Sequence, residues 1–199
     1  MVDYKKRFVD VEVGWPGSVG DGRVFKTSRL NATHVAWLSQ FATTKLPTGE
    51  RDDGEIIYED IPAFILADSA YTNSKHMVTT FKVTECSDFV VAALNKKLGG
   101  ARYHVENAFG ILKGRFRILQ HPLECACHDI RFAITFISAI FVLHNFLIDV
   151  KDESREWIAD IAPECEINNQ LEDLDTDEAI DEETTRKVLL RHMRWKLEG

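Results

Sequence analysis

The chain has 199 residues, 45% of them hydrophobic, which allows one domain with a real core plus an extension and excludes a wholly disordered chain. The start, MVDYKKRF, is polar and charged rather than a secretory leader, and the four cysteines form no disulfide framework, so a reducing compartment is expected. The net charge of −8 is unevenly spread: residues 149–185 hold 15 acids against two Lys/Arg, a local net of −13, and the remainder carries +5. A mildly basic body with an acidic tail is compatible with a nucleic-acid partner despite the low isoelectric point.

In chain order, Tyr4-Lys5-Lys6 reads as a turn, and Val9, Val11 and Val13 alternate with Asp10 and Glu12, which predicts a strand from about Arg7 to Gly14. Val2-Asp3 reads as the last rung of an earlier strand. Trp15 to Asp21 is a turn leading into a helix that carries Val24, Phe25 and Leu30, with Ser18 or Asp21 as its N-cap. A second helical or irregular segment covers His34 to Phe41, and Thr43 to Gly54 is a loop by composition. The run Ala63 to Tyr71 is apolar and ends in an acid, so it predicts a strand covered on both faces, with Asp68 at its carboxyl end, where ligands bind in open α/β sheets. The bland role for Asp68 is to terminate the strand and cap the next turn.

Thr72 to Glu85 reads as irregular. Ser87 to Leu98 forms a helix that Gly99-Gly100 breaks or kinks. The stretch from Asn95 to Leu119 has one acid, Glu106, among Lys96, Lys97, Arg102, His104, Lys113, Arg115 and Arg117. Phe109, Leu112 and Phe116 recur at helical spacing, which predicts a helix with a buried apolar side, and Arg102, Glu106, Gly110 and Lys113 share a face of it. By itself such a carboxylate is an ordinary solvated ion-pair partner. His121-Pro122 ends this helix, and Ile130 to Val150 is a second long one, apolar nearly all round and hence central. Its apolar run, Phe132 to Ile148, is a little short for a membrane span and contains Thr135, Ser138, His144 and Asn145, so a core helix and no membrane are expected. Cys125-Ala126-Cys127-His128 has poor spacing for zinc. Residues 151–185 are acidic, with the composition of a disordered linker, and residues 186–199 form a basic amphipathic terminal helix.

Asp21, Asp68 and Glu106 make a constellation. Gathered carboxylates repel one another, and a hard divalent ion with oxygen ligands relieves that repulsion. The surrounding Arg and Lys would hold phosphates.

Four blocks, GWPGSVGDGRVFKTSRL, ILADSAY, RYHVENAFGILKGRFRIL and VLHNFL, resemble in sequence and order the PIF/Harbinger-type transposases, which are DDE superfamily endonucleases. They span about residues 2–150. The resemblance implies an α/β, RNase H-like fold with helices flanking a mixed sheet, DNA as substrate, Mg²⁺ or Mn²⁺ as cofactor, and a nuclear location. By matching motifs, Asp68 and Glu106 correspond to the second and third acids of the catalytic triad, and Asp21 to a further metal ligand. Asn95, Arg102, Lys113, Arg115 and Arg117 are then supporting or DNA-contacting positions. A Myb-like partner protein is implied by resemblance, and a homo-oligomer is compatible with it. Two features depart from the family. The strand that carries its first catalytic Asp lies upstream of everything here, so the sheet is expected to be incomplete and catalysis crippled; Asp3 matches a non-catalytic position. The usual Pro near His76 to Phe81 is also missing. The alternative reading is a DNA-binding or assembly module without catalysis.

Overall fold

The computed structural model describes residues 1–121, 129–152 and 184–198. They form a mixed α/β structure: helices α1 (Asp21–Thr27) and α2 (Arg29–Leu38), strands β1 (Thr44–Glu50), β2 (Ile56–Ile61), β3 (Ile65–Ala67) and β4 (Met77–Thr79), and helices α3 (Phe89–Arg115), α4 (Ile130–Asp149) and α5 (Thr185–Glu198). The described residues fall into two compact units. A hairpin unit takes residues 20–102 and 184–198, and a two-helix unit takes residues 1–19 and 103–152.

In the hairpin unit, Ser28 separates α1 from α2 and caps α2, its Oγ accepting from Asn31 N at 3.1 Å. The N-cap of α1 is Gly20, so neither Ser18 nor Asp21 caps it as expected, and Leu30 belongs to α2. Asp21 is instead the first helical residue, where its charge suits the helix dipole. The predicted loop over Thr43 to Gly54 is largely strand: β1 pairs antiparallel with β2 through a bulge between Pro47 and Gly49, and Gly54, at φ +84°, closes the turn. Composition misled here because α5 covers the hairpin, with Arg191 held by Glu59 and His192 Nδ1 2.7 Å from the Pro47 carbonyl. The expected covered strand exists as β3, shortened to three residues and paired in parallel with the fully buried β4. Val78, Val90, Leu94, Leu98 and Met193 form this unit's core.

Helix α3 runs unbroken through Gly99-Gly100. Each glycine costs about 1 kcal/mol relative to alanine in a helix. Apolar anchoring on both sides, by Leu94 and Leu98 in one core and by Ala108 and Leu112 in the other, offsets that cost.

In the two-helix unit the predicted strand at Arg7 to Gly14 is replaced by irregular chain, with only a Val2–Phe8 bridge around the turn at Tyr4-Lys5-Lys6. That turn is built by Asp3, whose carboxylate accepts from Lys5 N, Arg7 N and Arg7 Nε at 2.8–2.9 Å. Burial alone would raise its pKa, but the bonds from Arg7 and Lys5 win and hold it below the usual carboxylate value. No neighbouring strand consumes the backbone of Phe8. It pairs with a side chain instead: Asn145 Oδ1 accepts from Phe8 N and Asn145 Nδ2 donates to Phe8 O, both at 2.8 Å. Phe8 then packs edge-on against Phe109, Phe141 and His144.

The helix after Asn95 ends at Arg115 rather than at His121-Pro122, and a short 3-10 turn, Arg117–Gln120, follows. Helix α4 is not central, contrary to its all-round apolarity. It buries one stripe, Ala133, Ile140, His144 and Ile148, and leaves Phe132, Val142, Phe146 and Val150 exposed. By length and composition α4 could cross a membrane, yet its His144 and Asn145 are spent on the backbone of residues 6 and 8.

His144 yields a pH prediction. Its ring is fully buried; Nε2 donates to the Lys6 carbonyl at 2.9 Å, and Nδ1 has no hydrogen-bond partner. Burial lowers its pKa, the Lys6 bond raises it, and the nearby Arg115 charge lowers it; the net is below the ordinary value of 6.5. The fold therefore keeps the ring neutral while the unfolded chain takes up a proton as pH falls past 6.5, so this part of the stability is complete above that value and lost below it. Urea midpoints followed by circular dichroism are expected to drop between pH 7.5 and 5.5, and to drop less in His144→Gln. An equal drop in both would refute the assignment.

Candidate metal and nucleic-acid site

The best-formed part of the expected site lies at the end of β3 in the hairpin unit. The chain leaves Ala67 into a tight turn, Tyr71 N donating to Asp68 O at 3.0 Å. The Asp68 side chain caps nothing. Its Oδ1 accepts from Ser69 Oγ at 3.0 Å and its Oδ2 from Arg102 Nη1 at 3.1 Å, and the Asp68 and Arg102 side chains are 48% and 35% exposed. The turn folds back onto α1: a Cβ added at Gly22 would sit 3.4 Å from the Ala70 carbonyl oxygen, and Phe25 meets the Tyr71 ring edge-on at 5.4 Å. Burial first, and then the charges of Asp21 and Asp68, push the Tyr71 phenol above its usual value of 10. Neither Asp21 nor Asp68 is spent on the side-chain capping role expected of it.

Glu106, partly buried, lies in the second half of α3 and so belongs to the two-helix unit. Among the described residues no group of three or more His, Cys, Asp or Glu side chains stands close enough to hold a metal ion. The basic positions divide. Lys113 and Arg117 are exposed, as a phosphate contact requires. The Arg115 side chain is 6% exposed and its Nη2 faces Asp152, 3.5 Å from the backbone oxygen and 3.6 Å from Oδ2, which leaves it little surface for DNA. Asn95 is used internally: Oδ1 accepts from Phe81 N at 2.8 Å, and Nδ2 donates to Phe81 O at 3.4 Å and Cys86 Sγ at 3.3 Å. Cys125 to His128, Cys165 and the tract 153–183 lie outside the described residues.

Reading the sequence missed Tyr71 and Ser69 as neighbours of Asp68 and gave Arg102 to DNA alone. The signal was present in ILADSAY, where a hydroxyl follows the acid directly and a phenol comes three positions on, the spacing of a tight turn.

Residues 1–145 match the family model described as DDE superfamily endonuclease, and the chain belongs to that family. The transposase resemblance carried by the four sequence blocks stands with this membership. The chain is also similar to Protein ALP1-like of Arabidopsis thaliana, 28% identical over 154 residues, a match that takes in 77% of this chain and 35% of that one. The chain thus spans about a third of that relative's length. No solved structure matches.

Proposed function

We propose that this chain is a transposase-derived DDE endonuclease domain of RNase H-like architecture, acting in the nucleus on DNA phosphodiester bonds with Mg²⁺ or Mn²⁺. The observation that carries the reading is that Asp21 opens the helix packed against the turn that follows Asp68, at the carboxyl end of a parallel strand, in a chain of this family. Hard oxygen donors suit such an ion, and the resemblance to the family assigns the role of ligand to Asp21, Asp68 and Glu106. When bound, it supplies Lewis-acid activation of the attacking water or hydroxyl and stabilises the leaving oxygen. The chain's own work is to place those carboxylates and to grip the DNA backbone with exposed Lys113 and Arg117.

Among these 199 residues the motifs supply two acids of the triad, Asp68 and Glu106, so the chain alone is expected to nick DNA poorly. Supercoiled-plasmid nicking in Mn²⁺ is expected from a version extended upstream by the acid-bearing first strand of a relative. It should fall to background in the Asp68→Asn and Glu106→Gln forms of that extended protein. Undiminished nicking by those two variants would overturn the residue roles.

A second reading, a DNA-binding or assembly module without catalysis, draws on the lack of any three-acid group among the described residues. It expects salt-sensitive band shifts, unaffected by Asp68→Asn, with no nicking from any form.

A further inference from the structure

Residues 22–49 contain no acid, although 32 of the chain's 199 residues are Asp or Glu. The cations of that run open the hairpin unit: Arg23 and Lys26 on α1, Arg29 as the first residue of α2, and Lys45 on β1. Lys45 lies opposite Asp60 across the hairpin, so its charge is met locally. The other three charges are not met. Arg23, Lys26 and Arg29 are exposed, and their side chains make no ion pair or hydrogen bond with any described residue. Arg23 and Lys26 are three positions apart on one helical face. Ser28 then turns the chain into α2, and the Phe25 and His34 rings, 5.8 Å apart, hold the two helices together. Like charges gathered around one corner without a counter-charge repel one another, and a polyanion relieves that.

The far end of α2 adds aromatic surface. Trp37 and Phe41 are 37% and 51% exposed, with ring centroids 5.4 Å apart and planes at 85°, so a base laid on one ring meets the edge of the other. Arg29 and Trp37 are separated by about 12 Å of helix axis, the length of three or four nucleotides at roughly 3.4 Å each. We propose that the α1–α2 corner binds single-stranded nucleic acid, with Arg23, Lys26 and Arg29 on the phosphates and Trp37 and Phe41 stacking on an unpaired base. In a duplex the base faces are already stacked on their neighbours, so the aromatic pair singles out an unpaired strand. An acidic protein segment would answer the cations and leave the aromatic pair unused. The site involves no metal ion and none of Asp68, Glu106, Lys113 and Arg117, so it goes beyond the metal-dependent reading above and stands or falls apart from it.

The test follows fluorescence anisotropy of a labelled oligothymidine strand, and of a duplex of the same length, bound by the full chain in EDTA. Trp37→Leu is expected to weaken strand binding about tenfold and to leave duplex binding unchanged. Trp37→Phe, which restores a flat ring, should recover most of the loss. Phe41→Leu, at the more exposed ring, carries this part of the test should Trp37→Leu fold poorly by circular dichroism. Changing Arg23, Lys26 and Arg29 together to Gln, all at exposed positions, should reduce the slope of log strand affinity against log salt by about two. Asp68→Asn is expected to bind the strand as the parent does, whatever becomes of nicking. Equal losses for strand and duplex in the Leu variants, no loss for either, or an unchanged salt slope overturns the proposal. Polyglutamate that binds as tightly as the strand, and weakens in the same variants, gives the corner to an acidic protein segment and overturns it as well.

Discussion

A chain ended at residue 183 is expected to lose the folded hairpin unit. The deletion removes α5, which buries Val188 and Met193 to 5% and 4% exposure and packs Leu189 and Leu190 against the cluster of Val78, Val90, Leu94 and Leu98. Two fully and two partly buried side chains of this size are worth roughly 5–10 kcal/mol, as much as the whole net stability of an ordinary domain, about 5–15 kcal/mol. The deletion also strips partners from the hairpin: Thr185 Oγ1 no longer donates to the Lys75 carbonyl at 2.6 Å, and Glu59 and Asp88 lose Arg191 and Arg194. Met193→Ala is the graded form and should cost about 2–4 kcal/mol. Amide hydrogen exchange reports the outcome. Protected amides in β1 and β2 of the shortened chain would show that the helix is dispensable.

Asn145→Ala should be the most damaging single change in the two-helix unit that removes no apolar side chain. It strips both partners from the backbone of Phe8 in a place where no strand substitutes for them. Leaving a buried donor and a buried acceptor unpaired costs about 1–3 kcal/mol each, so a loss of roughly 2–4 kcal/mol is expected once some water enters. Asn145→Asp separates the two bonds, since a carboxylate keeps the acceptor for Phe8 N and loses the donor for Phe8 O. Chemical denaturation should therefore rank the parent above Asp and Asp above Ala. Equal midpoints for all three would mean that packing of the Phe8 ring, not its backbone, anchors the segment.

What was legible in the sequence was what depends on near neighbours. The turn at Tyr4-Lys5-Lys6, the strand that ends at Asp68 and the helix around Glu106 follow from alternation, apolar runs and 3.6-residue spacing, and all three are present. What was not legible depends on partners far along the chain. Residues 43–54 look like a loop, and part of them is a strand because a helix 130 to 150 positions later covers it. Gly99-Gly100 looks like a break and is not one, because both flanks are pinned into cores. Val9, Val11 and Val13 alternate as a strand should, yet only the start of the segment pairs, Val9 N donating to Met1 O at 2.9 Å beside the Val2–Phe8 bridge, and no strand forms over these residues.

At the expected site, Asp21 opens a helix and Asp68 follows a strand, as their sequence surroundings suggest. The helix that Asp21 opens packs on the turn after Asp68, a contact that no local pattern encodes. Burial separated the cations. Lys113 and Arg117 face solvent, whereas Arg115, two residues from each, turns inward to Asp152.

The interleaving of the two units has a consequence for biosynthesis. Neither is a contiguous stretch of polypeptide: one needs residues 1–19 with 103–152, the other 20–102 with 184–198. The hairpin unit cannot close its core until Met193 has left the ribosome, so its apolar strands and the first half of α3 wait, uncovered, through the synthesis of nearly a hundred further residues. No single cut can therefore separate the chain into two pieces that each hold one complete unit.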